Sequence, residues 1–433
     1  MADISCRKRG DKWYYSFEAA AVDGKRKRIE RVGGKTKKEA LEKGIQALNE
    51  YNNSGQHFEP SNVSVADFLD YYSENHAKLH LSYNTQCRNV IAIEHHLKPN
   101  FGNYKLANLK TATIQEYINA KLIQGLAKST CENFIAPLSQ AYEYAIKLGY
   151  VKDNPCKRLE YAKIYTKEKG REVIPIDEYN QIIKEFERFP HFQLAVMIGW
   201  YAGLRISETF GLTWDNVDFE NKTITIDHQI VKRNFGLSVM KSYKERKAGA
   251  KKAERSSWYF APPKTRTSVR TIVVSDTLIN ELRKYRKYQL EGKIYYGEYY
   301  NELYLKEEKD EKGKAIQKLI SCDASVPVAL PTANMVFRRK DGSYVSPDTF
   351  KYASRIIHHK LGYENFDYHS LRHTHATMMI ESGASPKSVQ MRLGHSSIKT
   401  TYDRYVHDTD TMKQEAVALF DKAMDRANEA INQ

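Results

Sequence analysis

Hydrophobic positions along the chain change their period several times, and each change marks a new unit. In KWYYSFEA, from Lys12, apolar and polar residues partly alternate and aromatics are frequent, the pattern of a strand. Asp23-Gly24 offers a turn into a second strand within VDGKRKRIERV, and Gly33-Gly34 punctuates again. Thr36 is placed to cap a helix through KKEALEKGIQALNEY, with Glu39 three residues on as the capping partner. Leu41, Ile45 and Leu48 fall near one face of that helix. Residues 1–56 therefore predict a small domain of strands followed by a helix.

A polar stretch at 52–62 separates this unit from residues 63–155, which carry helical periods only. Val65, Phe68, Leu69 and Tyr72 line one helix face, and the next helix, TQCRNVIAIEHHLKP, is expected to stop near Pro99. Two more helices follow, the last with Pro137 inside it, either in its first turns or at a kink. Residues 156–172 are charged and lack a core pattern, as an interdomain linker would. Residues 173–433 predict helices at 177–188 and 191–207, strands near 217–231 and 269–274, and a helix at 276–292. Polar sequence follows to about 331, then helices at 347–361, 369–382, 385–393, 398–407 and 411–431. The fold class is multidomain: a mainly α domain with a small antiparallel sheet, preceded by an all-helical domain and a small sheet-plus-helix domain.

Charge adds a partner to this picture. The formal net charge is +15, an excess best explained by attraction to a polyanion, with nucleic acid the first candidate. Residues 231–293 hold seventeen Lys or Arg against five Asp or Glu, with Lys241 and Lys244 in the densest stretch. Such a run suits phosphate contacts, or a charged insertion that orders on DNA. Lys25, Arg26, Lys27 and Arg28 form a second run beside the first turn, a candidate phosphate-contacting strand edge. The five cysteines are scattered without CxxC spacing, which supports neither a zinc site nor a disulfide framework and fits reduced thiols in the cytosol. No secretory signal is visible, and LAVMIGWYAGL is too short to span a bilayer.

Four clusters carry candidate chemistry. In GWYAGLRISETFGLTW, Arg205 and Glu208 stand three apart on an otherwise apolar helix. They form either a local ion pair or an arginine set to fork onto two phosphate oxygens, with Glu208 orienting its neighbours. In YHSLRHTHATMM, His369 and Arg372 share a helix face, with His373 and His375 nearby. No catalytic Glu lies between His369 and His373, so hydrogen bonding to a phosphate fits this cluster better than a metal. In MRLGHSSIKTTYDRYVH, Gly394 ends a helix and His395 follows, ten residues before Tyr405. In PPKTRTSVRTIVV, Lys264 precedes a strand at the tip or flank of a hairpin, where it can protonate a leaving oxygen; Arg266 and Arg270 are rivals for that role.

Taken in order, AGLRxSE, a hairpin lysine, HxLRHTHAT and LGHSS…TTxxxY resemble the motifs of the tyrosine recombinase family, in particular integrases of phages and integrative elements. The resemblance covers almost the whole chain. Residues 1–56 are similar to the family's arm-site binding domain, with a three-stranded sheet and one helix, and 63–155 to its core-site binding domain. It implies that Arg205 and Arg372 clamp the phosphate, that Lys264, His369 and His395 assist, and that Tyr405 is the nucleophile, with Tyr402 a rival. It implies strand cleavage through a 3′-phosphotyrosine, without ATP or metal, by a homotetramer on DNA with inverted core-type half-sites and arm-type sites. A directionality factor or host DNA-bending protein would be further partners, inside a bacterial host cell. A type IB-like topoisomerase and a catalytically idle architectural protein share much of this pattern.

Overall fold

Alternation at the N-terminal end produces three antiparallel strands, β1 (Ser5–Arg9), β2 (Lys12–Val22) and β3 (Lys25–Gly34), with β2 in the middle. The computed structural model describes residues 4–22, 25–54, 63–162, 173–233, 256–263, 265–310, 312–399 and 421. These fall into two compact units, residues 4–162 and residues 173 onward. In the first, Tyr15 and Phe17 point from one face of β2 into a small core covered by helix α1 (Lys37–Ser54). Thr36 caps α1 as expected, its Oγ1 accepting from the Glu39 N–H at 3.2 Å. The Glu39 carboxylate, however, reaches the Lys35 N–H at 2.9 Å.

The face that α1 buries differs from the expected one. Leu48 packs against the core as expected, but Leu41 and Ile45 are exposed, while Ala40 and Ala47 are buried. The aromatic rings of β2 fill the space beneath the helix. A Cβ on Gly44 would stand 3.0 Å from that of Tyr15, so only small residues fit there. The basic run Lys25–Arg28 lies on β3, an edge strand, with Lys27 opposite Ala19 and Arg28 opposite Glu18.

Residues 63–162 form a helical bundle around one apolar core. Val65, Phe68, Leu69 and Tyr72 are all buried on α2 (Val65–Tyr72), which Ser64 caps. A π-helical turn, Ser73–Ala77, leads into α3 (Lys78–His80). The next helix, α4 (Tyr83–Ala92), passes through a second π-helical turn, Ile93–Leu97, into α5 (Lys98–Phe101). The helical path thus continues past Pro99, which sits in the first two positions of α5, where a missing N–H is tolerated. Then come α6 (Thr111–Ile123) and α7 (Lys128–Lys147), with Pro137 buried inside α7.

The second unit is built around α9 (Pro190–Ala202), whose residues Leu194 to Trp200 are buried on every side. It follows α8 (Ile176–Glu185) and is followed by a four-residue helix, α10 (Ile206–Thr209). Two antiparallel sheets take the place of the one expected. In the first, β4 (Val217–Asp218), β5 (Thr223–Ile226) and β8 (Arg270–Val273) lie in that order. The second runs β6 (Gln229–Arg233), β7 (Ser257–Ala261), β10 (Ala315–Asp323), β9 (Asn301–Lys309). The hairpin β9–β10 occupies sequence that reads as merely polar. Its Leu303 and Ile316 face the core, but the charged residues between them hide the alternation. Helices α11 (Asp276–Tyr296), α12 (Pro347–His359), α13 (Tyr368–Glu381) and α14 (Pro386–Leu393) follow among the described residues; the helices expected at 398–407 and 411–431 lie almost wholly outside them. α9 and α13 meet at Gly199, where a Cβ would approach the Leu371 side chain to 2.8 Å. Among the described residues no helix is long and apolar enough to cross a membrane.

Candidate active site

Two helix ends build the site. α9 stops at Gly203, in the left-handed region at φ 66°, so Arg205 is extended backbone immediately before α10. The helix expected over 191–207 is therefore broken, and Arg205 stands at the break and not on a continuous apolar helix. α14 stops the same way at Gly394, φ 65°, and His395 follows. A side chain fits neither glycine: a Cβ would stand 2.7 Å from the His375 ring at Gly203 and 3.1 Å from the Ser268 backbone at Gly394.

Arg372, on α13, ties the two ends together. Its guanidinium is buried, donating to the Gly203 carbonyl at 2.7 Å and the Leu393 carbonyl at 2.5 Å. Helix α13 also carries His369, so one rigid element places His369 and Arg372 while Arg372 holds the turns that present Arg205 and His395. All four line a single cleft of about 370 Å³ with Glu208. No group of three or more metal-ligating side chains occurs among the described residues.

Glu208 is the electrostatic centre. Its carboxylate accepts from the Arg205 N–H at 3.0 Å and from the Arg205 guanidinium at 2.6 Å. Arg270 grips the same carboxylate from β8 at 3.0 and 3.3 Å. Burial pushes the carboxyl up, but the hydrogen bond and charge of Arg270, then the charges of Arg205 and Arg372, more than offset this and hold it at about 2. The carboxylate stays ionised and fixes the arginine beside the cleft.

Arg270 was expected among the phosphate-contacting residues. The structure places it beneath the cleft instead, with its Nε donating to the Arg392 carbonyl at 2.6 Å and its other nitrogens on Glu208 and the Ser268 carbonyl. Burying it against Glu208 satisfies both charges, which is why its fork turns inward. Lys264 lies outside the described residues. Its neighbours Pro263 and Thr265 line the cleft, and the connection joins strands of two different sheets, β7 and β8, on the flank of the β6–β7 hairpin. Arg266 begins a 3₁₀ turn, Arg266–Ser268, which packs on Gly394. Tyr405, Tyr402, Lys241, Lys244 and the C-terminal residues Leu419, Phe420, Ala423, Ala427 and Ile431 lie outside the described residues.

Gln229, Ser268 and Ser396 also line the cleft; from the sequence Ser396 reads only as a possible helix cap, and the other two carry no assigned part. Gln229 accepts from the Ser207 hydroxyl at 3.2 Å and donates to the Pro262 carbonyl at 3.0 Å, linking α10 to the segment before Lys264. A glutamine opening a strand carries no local mark of such a role. Ser268 did have a signal, since it stands in the PKTxxSxR motif.

Known proteins resemble this chain in sequence and fold. Residues 172–412 match the phage integrase family, residues 64–122 the N-terminal SAM-like domain of phage integrases, and residues 5–51 an arm DNA-binding domain. A XerC-like tyrosine recombinase of Caldanaerobacter subterraneus subsp. tengcongensis is 26% identical over 394 residues, covering 89% of each chain. The fold resembles that of the Tn1549 transposon integrase in complex with a circular intermediate DNA, with a TM-score of 0.61 at 19% identity over 82% of this chain and 99% of that one. It also resembles a lambda integrase in a tetramer bound to a Holliday junction, with a TM-score of 0.50 at 16% identity over 94% and 96% of the two chains. The match over more than half of its length means that the chain belongs to the phage integrase family, as a site-specific DNA recombinase of the tyrosine type.

Proposed function

We propose that this recombinase cleaves and rejoins DNA strands with Tyr405 as nucleophile. The reading is carried by the convergence of Arg205, His369, Arg372 and His395 on one cleft. The Tyr405 hydroxyl loses its proton to water and its oxygen bonds to the scissile phosphorus as the bond to the 5′-oxygen breaks, leaving a 3′-phosphotyrosine. Lys264 gives the departing 5′-oxygen its proton. A 5′-hydroxyl from the partner duplex then attacks the same phosphorus and releases Tyr405. Arg205 and Arg372 neutralise the charge that grows on the non-bridging oxygens, with His369 and His395 as hydrogen-bond donors. The phosphodiester energy is kept in the protein–DNA bond, so no nucleotide cofactor enters.

In this reading residues 173–433 are the catalytic domain and 156–172 connect it to the bundle, although Cys156, Leu159 and Tyr161 at the start of that stretch pack on the bundle core. Residues 63–155 bind core-type half-sites and 1–56 bind arm-type sites, with Lys25, Arg26, Lys27 and Arg28 on phosphates. Lys241, Lys244 and Arg266 add phosphate contacts. Four protomers act on one pair of duplexes, because exchange needs four cleavages. A directionality factor or host DNA-bending protein is a further partner. The reaction takes place in the cytoplasm of a bacterial cell. The lambda integrase tetramer on a Holliday junction supports the assembly.

The test starts from footprinting on DNA flanking the gene, which yields a duplex to nick beside the scissile phosphate. The protein is expected to form a covalent adduct on the 3′ side of the cut, with EDTA in excess. Cleavage without an adduct, or cleavage abolished by EDTA, contradicts the reading. Multi-turn plasmid relaxation without junction products assigns the same chemistry to a topoisomerase.

A further inference from the structure

Beneath the cleft lies a second layer of polar contacts, centred on a side chain that does not line it. Arg392 is in the last turn of α14, three residues before His395. Its guanidinium reaches three other elements. Nη2 donates to the Tyr201 carbonyl near the end of α9 at 3.1 Å. Nη1 donates to the Val273 carbonyl at the end of β8 at 2.7 Å. Nε donates to His375 Nε2 on α13 at 2.9 Å. His375 in turn donates from Nδ1 to the Trp200 carbonyl at 2.8 Å, which fixes the neutral tautomer with Nε2 as acceptor. Burial first, then the charge of Arg392, holds its pKa at about 4, so this tautomer persists at neutral pH.

The four elements joined here also carry the cleft. α9 leads into Arg205, and α13 bears His369 and Arg372. α14 leads into His395, and β8 bears Arg270, which fixes Glu208. Carbonyls near the C-terminal end of α9, those of Trp200, Tyr201 and Gly203, receive His375, Arg392 and Arg372 in turn. The Arg392 carbonyl itself accepts from Arg270 Nε at 2.6 Å. A planar fork with several donors meets this need, whereas a lysine offers one point charge.

We infer that Arg392, through its contacts with His375, Tyr201 and Val273, is a positioning residue for strand cleavage. It sets the separation of Arg205 and His395 across the cleft without touching DNA. Displacement of charge-stabilising groups by about 1 Å lowers rates on the order of 100-fold, so its loss falls on the chemical step and not on binding. The inference rests on the recombinase mechanism proposed above.

The experiment uses the full chain and the nicked duplex described above. Adduct formation at saturating protein, the dissociation constant for the duplex and the thermal midpoint of the free protein are measured for wild type, Arg392→Gln and Arg392→Lys. Expected is an adduct rate lower by about 10- to 100-fold in Arg392→Gln, with affinity within about twofold and Arg392→Lys in between. Unchanged adduct rates overturn the inference. So does a fall matched by an equal loss of binding or of folded protein. If Arg392→Gln does not fold, Arg392→Lys decides by the same criteria. Wild-type protein that makes no adduct would instead count against the proposed mechanism.

Discussion

Charged side chains cluster in both the helical bundle and the recombinase cleft, but at different depths. In the bundle, Lys98 joins Asp70 and Glu94 at the rim, where the Lys98 and Asp70 side chains are 17% and 36% exposed. Beneath the cleft, the Arg270 and Glu208 side chains are 6% and 2% exposed, and Arg372 is buried beside them. Rim pairs are screened by water and contribute little. Interior pairs lose solvation, and they persist only where geometry and further hydrogen bonds satisfy both partners. The bundle core is apolar and its charges are incidental to its fold. The second unit accepts buried charge because phosphoryl transfer needs fixed dipoles and cations that do not reorganise as charge develops.

That contrast predicts unequal responses to mutation. Glu208→Ala leaves Arg270 buried without its carboxylate. Expected are a stability loss of about 3–5 kcal/mol in denaturant unfolding and near-complete loss of adduct. A stable, active variant removes Glu208 from the centre of the site. Leu138→Ala, in the apolar core of the bundle, is expected to cost about 2–5 kcal/mol of the bundle's stability. Adduct formation per bound protein should stay at the wild-type rate, and a slowed rate would show that the bundle is not a passive scaffold.

Acid should separate the two regions next. His375 titrates at 6.5 when free and near 4 when folded, so the unfolded chain binds the extra proton first. The contribution of His375 is complete above pH 6.5 and is lost as pH drops toward 4, by on the order of 2–3 kcal/mol, in the same window as that of His191, which burial and the charge of Arg339 also hold at about 4. His375→Gln should flatten this part of the pH–stability curve in calorimetry; an unaltered slope assigns the effect elsewhere. The smallest effect belongs to the rim. Asp70→Asn should change stability by less than about 1 kcal/mol, because Glu94 still holds Lys98. A larger loss on chemical denaturation would mean that the rim network behaves like the interior one.

Period and turn chemistry made much of the fold legible. Val65, Phe68, Leu69 and Tyr72 are buried because a helical face with that spacing has no other way to leave water. Where tertiary contacts decide, the sequence was silent. The choice of Ala40 and Ala47 over Leu41 and Ile45 depends on the aromatic rings of a strand. The β9–β10 hairpin was hidden because its exposed face is densely charged. In the site, Arg205, His369, Arg372 and His395 were legible as a set, although none is distinctive alone. The break at Gly203 and the inward turn of Arg270 were not, since Arg270 finds Glu208 across 62 residues of sequence. Motif spacing picks out residues that the fold brings to one cleft, but it does not distinguish an arginine that lines the cleft from one that holds its neighbour from beneath.

The central claim is that the cleft serves a tyrosine nucleophile at position 405. Tyr405→Phe and Tyr402→Phe proteins, each bound to the nicked duplex, test it directly by adduct formation and by mass spectrometry of the DNA-linked peptide. Tyr405→Phe is expected to bind with wild-type affinity and form no adduct, while Tyr402→Phe still forms one through Tyr405. An adduct in Tyr405→Phe, or a DNA-linked peptide joined through Tyr402, contradicts it.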